Sequence, residues 1–69
     1  MNKTYLEIYL VFAGEVKGRL SLKKLTPKKD EAFSYAKELE ATNTLVAIAH
    51  AVKGKEQADT IYSNFDLED

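Results

Sequence analysis

The stretch "LTPKKDEAFSYAKELEATN", residues 25–43, holds the chain's single proline and its clearest helical stripe. Thr26 can cap a helix there, its hydroxyl accepting from an orphan amide of the first turn. Pro27 suits the first helical position, where a missing N–H costs nothing. Ala32, Tyr35, Ala36 and Leu39 then recur at i, i+3, i+4 and i+7, and Phe33 widens the stripe. Asp30 and Glu31 favour the positive end of the helix dipole, while Lys28 and Lys29 oppose it. Asn43 is a fitting stop, since asparagine tolerates a left-handed cap. One helix with one apolar stripe cannot close a core alone, so its flanks must supply a sheet.

The flanks change period. Before the helix, Thr4 to Ala13 alternates, with Leu6, Ile8, Leu10 and Phe12 on one side and Tyr5, Glu7, Tyr9 and Val11 on the other. Period two with branched and aromatic residues predicts a strand. A turn follows around Gly14. Val16, Gly18, Leu20 and Leu22 then alternate with Lys17, Arg19, Ser21 and Lys23, which completes an antiparallel hairpin. Gly18 inside that strand suggests a bulge or a close approach by the helix.

After the helix, "TLVAIAHAVKG" fits two structures. As a helix it stripes Leu45, Ile48, Ala49 and Val52. As a strand it sets Val46, Ile48, His50 and Val52 against Leu45, Ala47, Ala49 and Ala51. A hairpin and one helix make a poor core, so a third strand is favoured. Which of its faces points outward is open at this stage. In "KEQADTIYSNF", Ala58, Ile61, Tyr62 and Phe65 stand at helical spacing and favour a short C-terminal helix over a fourth strand through 60–62. The expected fold is α+β in two layers. One helix covers an antiparallel sheet of three strands, or four in the alternative reading, in the order ββαβ. Residues 1–69 form a single compact domain with an acidic tail at 66–69 that frays.

Length and charge narrow the function. A 69-residue chain buries only about 60% of the surface its unfolded form exposes. It has no cysteine, so neither a disulfide nor a thiolate metal site supports it. That favours an intracellular, cytoplasmic setting. Glu7 interrupts the apolar start, which argues against a signal peptide, and no run approaches the roughly 20 residues of a membrane span. Residues 1–30 carry seven Lys and Arg against three Asp and Glu, a net of +4. Residues 31–69 carry three against eight, a net of −5. Screening flattens such an asymmetry beyond about 8–10 Å.

No catalytic constellation stands out. His50 is the one histidine and has no second nitrogen or sulfur ligand for zinc. Ser21, Ser34 and Ser63 lack a nucleophile context. Glu38 and Glu40 diverge around the helix. "GEVKG" matches no phosphate-binding loop. The chain is therefore expected to be no enzyme, with no cofactor and no metal. Its expected binding residues are Tyr5, Tyr9, Lys17, Arg19 and Lys23 on the outer sheet face, beside Glu7 and Val11. Rings among cations suit a protein contact or single-stranded nucleic acid. Glu7 between the tyrosines and the lack of an RNP motif count against nucleic acid. The flat strip Ala47, Ala49 and Ala51 permits close helix packing if it faces in, or self-association if it faces out. The tail "SNFDLED" offers Phe65, Asp66, Glu68 and Asp69 as an acidic docking segment.

The hairpin, then "LTPKKDEAFSYAKEL" with its D-E-A-x-x-x-A pattern at Asp30, Glu31, Ala32 and Ala36, then a strand, is similar to small phage-encoded inhibitors. These include inhibitors of host RNA polymerase, some anti-CRISPR proteins and a phage antitoxin. The resemblance spans roughly residues 5–53 and is one of topology. It implies a compact, non-enzymatic protein that occupies the surface of a host or defence protein. A nucleic-acid-binding module is the second expectation, and a homodimer built through the alanine strand the third.

Overall fold

A computed structural model describes residues 7–65 and gives the element order β1 (Glu7–Gly14), β2 (Ser21–Thr26), α1 (Lys29–Leu39), β3 (Leu45–Val52) and β4 (Asp59–Ser63). The strands form one antiparallel sheet in the order β2-β1-β3-β4. The α+β class with its single helix is therefore as expected. The short C-terminal helix is not. Ile61 and Tyr62 lie in a fourth strand, and the physical reason for the misreading is a bulge. Ile48 pairs with Tyr62 and Ala49 with Thr60, so Ile61 is an extra residue that breaks the period-two signal. The acidic tail at 66–69 lies outside the described residues.

The hairpin differs in detail from its reading. β2 begins at Ser21, and residues 15–18 are turn and bend, with Gly18 at φ +88°. That left-handed conformation, which glycine adopts without strain, makes Gly18 a turn residue and not a strand bulge. The hairpin's bulge falls at Lys23, between the pairs Val11–Lys24 and Phe12–Leu22. Thr26 ends β2 and does not cap α1, which begins after Lys28. Its hydroxyl accepts from the Lys28 N–H at 3.1 Å and donates to Glu31 at 2.9 Å. This satisfies a buried polar side chain and steers the chain from sheet to helix. At the other end, Asn43 donates both its N–H and its side-chain amide to the Leu39 carbonyl, but without the expected left-handed cap: no described non-glycine residue has a positive φ, and Glu40 is the C-cap.

The core lies between α1 and one face of the sheet. Ala32 and Ala36 of α1 pack against Tyr9, Val11 and Ala13 of β1 and Val46 and Ile48 of β3. Phe33, Tyr35, Leu39 and Tyr62 close its margin. Two small residues on the helix let its backbone approach the sheet closely. Tyr62 ties β4 in by tilting against Phe33, with ring centroids 5.6 Å apart, and by donating its hydroxyl to Glu40. The backbone is only 15 Å through its thinnest dimension. With sheets and helices packing about 10 Å apart, that is room for two layers.

The helix covers the opposite face from the one the polarity pattern suggested. Tyr9 and Val11, expected outside with Glu7, face α1. Tyr9 is 9% exposed and Val11 fully buried. Ile8, Leu10 and Phe12, expected inside, lie on the side that, among the described residues, no helix covers. The parity of the alternation was right and its direction was inverted. β2 and β3 are parallel to each other with β1 between them, so α1 is their crossover. The strong preference of such crossovers for one hand constrains which face a helix takes, whatever the side chains there.

Candidate functional site

The expected binding set does not come together. Tyr9 is buried, its ring stacked on His50 at 4.6 Å between centroids and 14° between planes. Lys17 and Arg19 are exposed in the β1–β2 turn, and Lys23 is exposed at the bulge of β2. Phe65 is half-buried after β4, its carbonyl accepting from the Ser63 hydroxyl at 2.8 Å. Tyr5, Asp66, Glu68 and Asp69 lie outside the described residues. The aromatic–basic platform is thus not assembled on the outer face. Polarity alone suggested it, and the crossover placed Tyr9 on the other side.

His50 is engaged structurally. Its Nε2 lies 2.9 Å from the Glu7 carboxylate, while Asp59 stands opposite it on β4. Asp59 is held below the usual carboxylate range by the hydrogen bond from Lys55 first, then by the charges of Lys55 and His50. The Ser63 hydroxyl, on the opposite face of the sheet, donates to the Phe65 carbonyl. Among the described residues, no group of three or more His, Cys, Asp or Glu is gathered where it could hold a metal ion. The Tyr62 phenol is pushed above its ordinary value, mainly by the hydrogen bond it donates to Glu40, then by burial and the Glu40 charge. That pair braces β4 against α1.

The register shows a different surface, one the sequence reading missed. On the open side, neighbours across the sheet form rows. One row runs Leu25, Leu10, Ala49, Thr60 and the next Leu22, Phe12, Ala47, Ser63; Ile8 pairs with Ala51 beyond them. No ladder position on this side is charged. The helix-covered side holds all the charged or titratable ladder positions from Glu7, Lys24 and His50 to Asp59. Leu22 and Leu25 are 46% and 51% exposed. Large contiguous apolar patches of this kind mark contact sites on soluble proteins. The rows also have a slope, from two large side chains on β2 and β1 to two small ones on β3 and β4. One signal was available beforehand: Leu22 and Leu25 three apart in a strand imply an extra residue that turns both the same way.

Among the described residues, no helix is long and apolar enough to cross a membrane. Comparison with protein-family models, with curated proteins and with solved structures finds no match to this chain.

Proposed function

We propose that this is a small non-catalytic binding protein that works by seating the open face of its sheet on another protein. The observation that carries the reading is the uncharged rows of Leu25, Leu10, Ala49 and Leu22, Phe12, Ala47 on a face that, among the described residues, no helix covers. Burying that apolar surface supplies a non-directional driving force. The partner chemistry it fits is a flat, apolar, uncharged protein surface. The absence of cations from these rows favours protein over nucleic acid, whose phosphates need positive charge. The proposal includes a cytoplasmic setting and an antagonist's role, as the topological likeness to phage-encoded inhibitors suggests.

Affinity capture from a nuclease-treated bacterial lysate tests this. The bait pair is the native chain and its Leu22→Lys/Leu25→Lys variant. A stoichiometric protein retained by the first and lost by the second, with equal circular dichroism of both baits, is the expected result. Retention unchanged by the substitutions, or retention of nucleic acid alone, contradicts the reading.

A further inference from the structure

We infer that the open face pairs with a second copy of itself, two sheets stacking about a twofold axis that runs along the strands. This rests on reading that face as a protein-contact surface and names the first protein it meets. Three features carry it.

The first is charge. The paired positions of the face carry no charge, so like rows meet without repulsion between them. The second is shape. Each row falls from Leu25 and Leu10 to Ala49 and Thr60. Rotation about an axis along the strands, between β1 and β3, lays β2 of one copy over β4 of the other. The high half of each row then meets the low half, and the summed height is even. An axis across the strands would set leucine on leucine and leave the alanine side empty, which close-packed interiors do not tolerate. The third is area. Four strands of eight, six, eight and five residues, spaced about 4.8 Å apart, present roughly 430 Å² in projection, so about 860 Å² for two copies. Side-chain relief adds to this, and about 1,000–1,200 Å² is where specific interfaces begin. The whole face is therefore required, and a partner touching only part of it falls short.

The pairing has a functional consequence. A target that uses the same face must displace the second copy. Its apparent affinity falls in proportion to the fraction of chain that is monomeric.

Sedimentation equilibrium of the full chain from about 1 µM to about 1 mM tests the inference, together with disulfide trapping in a protein that has no native cysteine. The expected result is a mass that doubles across this range. Leu25→Lys, at a site half-exposed in the single copy, keeps the circular dichroism and raises the dissociation constant at least tenfold. A mixture of Leu25→Cys and Thr60→Cys chains cross-links between copies, while Leu25→Cys alone does not. A native chain that stays monomeric throughout overturns the inference, as does a dimer indifferent to Leu25→Lys. Trapping of Leu25→Cys with itself overturns the axis. A monomer that still captures a foreign protein in a Leu25-dependent way sinks the pairing and leaves the proposed function standing. A dimer that captures none does the reverse.

Discussion

The two faces of one sheet differ in a way that inverts the usual expectation. The side under α1 carries Glu7, Lys24, His50 and Asp59 among its ladder positions and is nevertheless the core side. The bare side carries none. The covered face handles its charges at the ends and margins. His50 meets Glu7 and lies on Tyr9, and Lys24 reaches over the Tyr35 ring at 5.3 Å. Only Val11, Val46 and Ile48 are large and fully buried there. The lesson is that chain routing, through the preferred hand of a crossover, constrains which face becomes the core. Apolar content then decides what is left over to bind.

Substitution at matched positions can break this contrast. Ile48→Ala on the covered face removes a fully buried side chain and is expected to cost about 2–5 kcal/mol, enough to unfold much of so small a domain. Urea denaturation of dilute protein measures it, and a cost below about 1 kcal/mol would mean that this face is not the core. Thr26→Ala orphans the Lys28 N–H and loosens Glu31; about 1–2 kcal/mol is expected in the same assay. Tyr62→Phe removes the bond to Glu40, for about 0.5–1.5 kcal/mol.

Tyr62 adds a pH signature. Its folded pKa lies above the unfolded value of about 10. Its contribution is therefore complete below that value and is lost as pH rises through the folded pKa. Alkaline melting curves of the native chain should steepen there, and those of Tyr62→Phe should not. Leu25→Ala on the open face is expected to cost under about 0.5 kcal/mol in the monomer, where the residue is already half-exposed. A loss comparable to that of Ile48→Ala, in protein shown to be monomeric, would erase the distinction between the faces. The smallest effect belongs to Lys55→Ala. Asp59 is held low by Lys55, so this support exists above the ordinary carboxylate range and fades as pH falls through the folded value. The variant should differ from the native chain only by a slightly earlier acid transition.

Local elements were largely legible in the sequence. The 3.6 stripe located α1, although Pro27, read as its first residue, stands before the Lys28 cap; period two located β1, and the need for a third strand located β3. Two of the features that escaped were bulges. Lys23 in β2 and Ile61 in β4 each insert one residue, and one residue is enough to make a strand look irregular or helical. The site was less legible for a different reason. Alternation gives two faces without saying which one the helix takes. Tyr9, read as an outward ring, is instead the floor beneath His50. The alanines at 47, 49 and 51, whose side the sequence left open, turn out to be the low half of the bare face.

Those same two bulges bear on how far assembly can go. β2 and β4 are the edges of the sheet, and each is interrupted within five or six residues. A broken edge is a poor template for strand addition by another chain. Sideways growth into a continuous cross-β ribbon is therefore obstructed at both borders. A protein with a sticky face but spoiled borders can meet its neighbours flat, in a closed and countable complex, without seeding a fibre.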